Sequence, residues 1–205
     1  MSSVFELVRE PFPHTVRDGL WDPTLLEQVR EEFPHPGGDS WIRYENEHEW
    51  KYHGDTPVWG SYMNELLGQF GEISGEISEL FGIPELVMET VGGGMHLIPP
   101  GGYLRMHTDF NRSPDSGLYR RVNLLCFLNP SWMENPGGCL MLGRNREVVI
   151  QPEFNRTVIF ESTDRSWHGH PEPNRRWRLS VAAYFFSREP PEGYREDHST
   201  VWADG

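Results

Sequence analysis

The sequence predicts a mainly β protein of α+β build: a jelly roll (double-stranded β-helix, cupin-like) with N-terminal helices packed on one outer face. Three observations lead there. Helical periodicity is confined to the first 85 residues or so. From Leu86 onward the chain turns to short apolar or alternating runs cut by Gly/Pro clusters, GGG at 92–94, PPGG at 99–102 and NPGG at 135–138. At 205 residues, 37% hydrophobic and 13% aromatic, the chain can bury one substantial core and is short for two domains.

Asp22 followed by Pro23 offers an N-cap and a first-turn proline, Leu25, Leu26, Val29 and Phe33 recur on one face, and Pro34 stops the run. A second helical region spans about 58–81, with Tyr62, Leu66, Phe70, Ile73, Ile77 and Leu80 at three- and four-residue spacing, and Gly68, Gly71 and Gly75 as places where it would split. Between the two, residues 40–59 (SWIRYENEHEWKYHGDTPVW) show neither period. Eight strands are expected near 86–91, 94–98, 102–108, 120–128, 138–142, 147–151, 156–161 and 176–186. The expected organisation is a single domain over 1–205, with a helical part to about 85, a jelly-roll core over about 86–187 and a tail over 188–205.

In YLRMHTDF, His107 and Asp109 stand two apart, so on a strand they project from one face about 7 Å apart along the chain. An imidazole and a carboxylate suit a borderline divalent metal, and a second histidine completes the 2-His-1-carboxylate facial triad typical of Fe(II), which leaves coordination positions open for a bidentate cosubstrate and O₂. An HxD pair alone is a weak signal, more often a surface or hydrogen-bonded pair than a metal site. The third ligand is sought in SWHGHPEP, where His168 and His170 compete. His168 is preferred because it follows Trp167, precedes the glycine and leaves ten positions to Arg178; the other histidine then reads as a loop-mouth residue that bonds backbone or contacts substrate.

Alternation in RWRLSVAAYFF puts Arg178, Ser180, Ala182 and Tyr184 on one face and Leu179, Val181, Ala183 and Phe185 on the other. An arginine facing the interior needs an anion, and a guanidinium fork with a hydroxyl two residues on makes a receptor for the distal carboxylate of a dicarboxylic keto acid. The plainer reading of Arg178 is a structural ion pair. On the strand at 120–128, Asn123, Leu125 and Phe127 share a face, and Asn123 is a candidate to contact the metal-binding end of that acid; an ordinary satisfied polar residue is the equal alternative.

The net charge of −13 argues against a phosphate-tracking surface and hence against a nucleic-acid partner. Cys126 and Cys139 lack metal or disulfide spacing. With no basic-then-apolar leader and no apolar run of membrane-spanning length, a soluble, cytoplasmic protein without a membrane partner is expected. Of the 18 basic residues all but Lys51 are Arg, a bias suggesting a GC-rich bacterial genome.

The order GGYLRMHTD, RRVNLLCFLNPSW, GGCLML, TVIFES, WHGHP and RWRLS resembles the prolyl-hydroxylase-like branch of the 2-oxoglutarate/Fe(II) oxygenases over about residues 86–187, and the N-terminal helices resemble that branch in placement. The resemblance implies iron on His107, Asp109 and His168, 2-oxoglutarate gripped by Arg178, Tyr103 lining the cosubstrate pocket, and oxidation of a C–H bond with O₂ consumed and succinate and CO₂ released. It also implies hydroxylation or a related oxidation instead of halogenation, because the related halogenases carry a small residue where Asp109 stands. One departure is Phe127, where prolyl hydroxylases often have a Tyr that helps hold the keto acid. A cupin-type isomerase or hydrolase gives the arginine clamp no purpose, and a non-enzymatic cupin predicts neither constellation. The expected substrate is an amino acid, peptide or other small metabolite, with a prolyl residue of a protein as the alternative; the acidity disfavours an AlkB-like nucleic-acid demethylase. Irregular aromatic segments are often lids, so Arg43, Tyr44 and Lys51 are expected to close over substrate, against the alternative of a structural flap.

Overall fold

The computed structural model describes residues 5–36, 38–54, 58–132, 137–173 and 175–203. Two sheets face each other. The larger joins seven strands in the order β1 (His14–Asp18), β9 (Arg156–Glu161), β6 (Tyr119–Phe127), β11 (Arg178–Ser187), β4 (Val87–Ile98), β3 (Trp50–Gly54) and β2 (Ile42–Glu45). The smaller runs β12 (Val201–Trp202), β5 (Leu104–Thr108), β10 (His168–His170), β7 (Leu140–Leu142) and β8 (Val148–Ile150). This is the expected double-stranded β-helix.

The helices α1 (Pro23–Glu32), α2 (Ser61–Glu72) and α3 (Ser74–Phe81) cover the outer face of the larger sheet. Asp22 caps α1 through a 2.7 Å bond from the Thr24 amide. Glu32, at the end of α1, caps α2 in turn: its carboxylate accepts from the amides of Tyr62 (3.0 Å) and Met63 (2.7 Å). Leu26, Val29, Met63, Leu66, Phe70 and Ile77 are fully buried and pack with Val122, Leu124, Val181, Ala183 and Phe185 from the strands beneath. The opposite, inward faces of the same strands carry Leu125, Phe127, Ala182 and Tyr184, which close smaller clusters between the sheets. The alternation read in the last strand therefore separates helix packing from the interior.

The helical region breaks at Ile73 and at none of the three glycines, which lie inside α2 and α3. Runs 86–91 and 94–98 form one strand, β4, because Gly92 and Gly94 take φ of +70° and +97° and let it bend through a bulge against β11. Residues 40–59, expected to be irregular, contain the hairpin β2–β3, which extends the larger sheet beside β4. Strands β1, β10 and β12 were also unexpected. Among the described residues no helix is long and apolar enough to cross a membrane.

Candidate active site

Strands β5 and β10 pair antiparallel with His107 opposite His168, and Asp109 follows just beyond the end of β5. Gly169 permits this closeness, since a Cβ there would stand 2.7 Å from the Arg105 carbonyl. One ligand atom from each of His107, Asp109 and His168 lies within 4.8 Å of the others. The Nε2 atoms of His107 and His168 are 3.5 and 3.4 Å from the two Asp109 oxygens. Each histidine directs Nδ1 at a backbone carbonyl, Arg105 (2.8 Å) for His107 and Ser166 (2.9 Å) for His168. With the protons donated there, both Nε2 lone pairs face the carboxylate, the tautomer a metal needs.

The Asp109 Oδ2 atom is held by Arg120 Nη2 at 3.0 Å and by the Asn123 amide at 2.8 Å, and Asn123 in turn accepts from Arg120 Nε at 2.8 Å. Burial opposes the carboxylate's charge, but Arg120 first, then His168 and His107, outweigh it and hold the group well below the usual carboxylate range. Burial, reinforced by His107 and Arg120 and opposed by Asp109, pushes His168 down to about 4. At neutral pH the cluster thus offers an ionised carboxylate and a neutral His168 imidazole, the forms that bind a divalent cation.

An inner cavity of about 70 Å³ opens from these residues and is lined further in by His170, Arg178, Ser180, Leu125 and Phe160. Arg178 is 3% exposed; its Nε donates to the Gly138 carbonyl at 2.9 Å and its guanidinium lies over the Phe127 ring, 4.9 Å from the centroid. Burial pushes it down to about 10, so it stays charged, and among the described residues no carboxylate stands against it. A buried cation without an acid is costly until an anion arrives. His170 is also buried, its Nδ1 without a hydrogen-bond partner among the described residues. Burial above all, then Arg178 and Lys51, lowers it well below the usual histidine range. Triad, open cavity, unpaired arginine and orphaned imidazole together fit a ferrous ion with a dicarboxylic keto acid.

The structure brings His107, Asp109, His168, Arg178, Ser180 and Asn123 around one cavity, but Asn123 spends its amide on Asp109. Tyr103 lies elsewhere: its hydroxyl donates to the Asn46 carbonyl at 2.9 Å, tying β5 to the β2–β3 turn, and it lines neither cavity at the triad. An outer cavity of about 390 Å³ shares His107, Asp109, Arg120 and Tyr184 with the inner one. Tyr44 and Lys51, cross-strand partners in the hairpin, line it; Lys51 pairs with Glu49 at 2.8 Å and also reaches the inner cavity. Arg43, one residue along from Tyr44, falls on the opposite strand face, exposed and paired with Glu45.

Sequence reasoning missed Arg120. Strict alternation puts Arg121 beside Asn123, but β6 carries one extra residue against β11 between Val122 and Arg120. That bulge turns Arg121 toward Ser187 and Glu189 and delivers Arg120, 2% exposed, to Asp109, with its guanidinium carbon 3.4 Å from the Tyr184 ring centroid.

Residues 93–186 match the model of the 2OG-Fe(II) oxygenase superfamily. No curated protein matches the chain. Among solved structures, a prolyl-4-hydroxylase of Pseudomonas putida superposes with a TM-score of 0.68 at 19% identity, covering 86% of this chain and 93% of that one. A Trichoplax adhaerens prolyl hydroxylase in complex with a hypoxia-inducible-factor oxygen degradation domain peptide fragment gives 0.65 at 18% identity, covering 84% and 83%. A viral collagen prolyl hydroxylase of Paramecium Bursaria Chlorella virus-1, in its 2OG complex, gives 0.62 at 11% identity, covering 88% and 98%. At these identities the likeness is one of fold.

Proposed function

We propose that the chain is a 2-oxoglutarate-dependent dioxygenase, a reading supported by the match of residues 93–186 to the 2OG-Fe(II) oxygenase superfamily, and that it hydroxylates a C–H bond of an amino acid, a peptide or another small metabolite. His107, Asp109 and His168 hold the iron, and Arg178 with Ser180 grips the distal carboxylate of 2-oxoglutarate. The observation that carries this reading is Arg178, a buried cation without a carboxylate partner among the described residues, one cavity away from the triad. Bound there, Fe(II), 2-oxoglutarate and O₂ supply the oxidising chemistry and release succinate and CO₂.

Around them the chain's own groups orient and exclude. The two carbonyl-bound histidines present fixed Nε2 atoms, and Arg120 with Asn123 keeps Oδ2 of Asp109 occupied, so that the carboxylate cannot rotate freely. Phe127 gives Arg178 an aromatic platform where a phenol is expected in prolyl hydroxylases. Leu125 and Phe160 supply apolar walls that limit water around the reacting atoms.

The outer cavity, at about 390 Å³, is of small-molecule size. The test is substrate-dependent succinate formation across free amino acids, short peptides and proline-containing polypeptides. Response to free amino acids or short peptides supports the reading. Response confined to long proline-containing chains favours the second reading, a protein prolyl hydroxylase, which the peptide-bound Trichoplax relative makes the natural competitor.

Two expected results belong here. Product formed in chloride buffer is hydroxylated, or else desaturated or cyclised, and carries no chlorine, because Asp109 fills the position a halide needs; mass spectrometry showing chlorinated product overturns this. Lys51→Ala lowers coupled product about tenfold, as expected for losing one charge-assisted hydrogen bond. Iron and 2-oxoglutarate affinities stay near wild type, thermal unfolding falls only by what the buried Glu49 loses with its partner, and Tyr44→Ala lowers coupled product in the same direction. Arg43→Ala does little, since its side chain leaves the cavity. Equal losses at 43 and 51 would return the hairpin to a purely structural role.

A further inference from the structure

After β11 the chain runs back across the mouth of the site as a strap. Its path is fastened at several points: the Asn111 amide donates to the Glu196 carbonyl (2.9 Å), the His198 amide to Asn111 Oδ1 (3.0 Å), Arg112 Nη1 contacts Asp197 (2.9 Å) and His198 Nε2 meets Asp164 (2.8 Å). It ends in β12, which adds to the edge of β5 with Val201 opposite Thr108 and Trp202 opposite His107. The Ala203 amide then donates to the Met106 carbonyl at 2.9 Å.

This pairing lays the Trp202 indole beside the candidate ligand His107, ring centroids 5.0 Å apart. Its other neighbour is His48, in the turn of the β2–β3 hairpin, stacked at 4.8 Å with the planes 7° apart. The His48 carbonyl accepts from the Arg105 amide at 2.8 Å, so the hairpin turn is itself fixed to β5. Trp202 belongs to none of the hydrophobic clusters of the core. With Thr200 it lines the outer cavity instead. An indole held between a ligand's ring and a hairpin turn, and open to the cavity, is placed to bound what enters there and not to fill a core.

We propose that the strap is the second wall of the substrate cavity and that Trp202 is a specificity-determining residue, limiting the size of the group that can lie beside His107. The proposal rests on the reading of His107, Asp109 and His168 as the iron site. A fixed aromatic wall admits small side chains to the oxidisable position and excludes bulky ones, while Lys51, paired with Glu49 in the same cavity, has further N–H donors for a polar group of the substrate. Bulk is discriminated by such a wall because the substrate must displace an indole that is stacked on His48 and packed at a tilt against His107.

The experiment compares wild type with Trp202→Phe and Trp202→Ala. Anaerobic titration with Co(II), a paramagnetic ion that quenches a tryptophan at short range, needs no substrate: wild type loses fluorescence as the metal binds, and Trp202→Phe loses distinctly less. Next, 2-oxoglutarate consumption is followed over free L-amino acids and dipeptides of graded size and over proline-containing peptides. Trp202→Ala shifts the ratio of kcat/KM for bulky against small members by about tenfold, with iron and 2-oxoglutarate affinities within about twofold of wild type, as expected for a wall that leaves the metal ligands in place. Unaltered quenching in Trp202→Phe overturns the placement at the metal. An unaltered size profile in Trp202→Ala, or loss of metal binding in both variants, overturns the specificity role. Wild type responding only to proline-containing peptides overturns the small-substrate reading instead, and the same Trp202→Ala comparison on those peptides then decides the wall.

Discussion

His168→Ala lowers Fe(II) affinity on the order of a hundredfold or more and removes turnover, whereas His170→Ala keeps Fe(II) affinity within a few-fold of wild type. The magnitude follows from comparison: groups that merely hydrogen-bond a ligand typically contribute 10- to 100-fold to metal affinity, so deleting a ligand itself costs at least the upper end of that range. The contrast between two histidines only two residues apart rests on geometry. His168 Nε2 lies 3.4 Å from Asp109, its Nδ1 anchored on the Ser166 carbonyl. His170 stands outside the cluster, its Nδ1 without a hydrogen-bond partner among the described residues, and Arg178 is the charge that lowers it most after burial. Its loss should therefore appear in the KM for 2-oxoglutarate. Anaerobic Fe(II) binding by calorimetry, with thermal unfolding as the control for folding, separates the two. Retained binding in His168→Ala beside lost binding in His170→Ala would make His170 the third ligand.

What could be read from the sequence depended on how regular the local backbone is. His107 and Asp109 are two apart at the end of an ordinary strand, and Arg178 and Ser180 sit in a ten-residue strand whose alternation holds over both residues. Period two was enough to put each pair on one face. His168 and His170 lie in a strand of only three residues, too short for any period to show. Choosing between them needed the register of β10 against β5, which is a tertiary fact. Arg120 was hidden by a bulge that reverses the sense of alternation at the one place where it mattered. The hairpin was missed for a different reason. IRYE and WKYHG alternate weakly because one face meets the cavity, with Ile42, Tyr44, Lys51 and His53, while the other carries Arg43 and Glu45. Its strand character comes from pairing with β4 and from bonds to β5. The strap was invisible because two residues, Val201 and Trp202, form its strand and owe it to the edge of β5.

Arg178→Ala raises the KM for 2-oxoglutarate about a hundredfold, the loss of a bidentate charge-assisted contact at ~2.7 kcal/mol. The iron site should be little affected, since among the described residues Arg178 contacts the Gly138 carbonyl and the Phe127 ring and none of the three ligands. Because Arg178 carries a buried charge that no described carboxylate balances, its removal also relieves a desolvation cost, and the variant should be no less stable than wild type apart from the small cavity left behind. That combination, weaker cosubstrate binding without weaker folding, is what separates a ligand-binding arginine from a structural ion-pair partner. Arg178→Lys recovers only part of the loss, because an ammonium cannot make two parallel bonds to one carboxylate or spread over the Phe127 ring as a guanidinium does. Arg176, two residues upstream, supplies the control: it is half-buried, with its guanidinium carbon 5.6 Å from the Trp132 ring centroid, and it lines neither cavity. Arg176→Ala is accordingly expected to change KM by no more than a few-fold. Steady-state succinate release across a 2-oxoglutarate titration measures all three variants. Equal effects at 176 and 178 would show that the inward face of β11 does not carry the cosubstrate site.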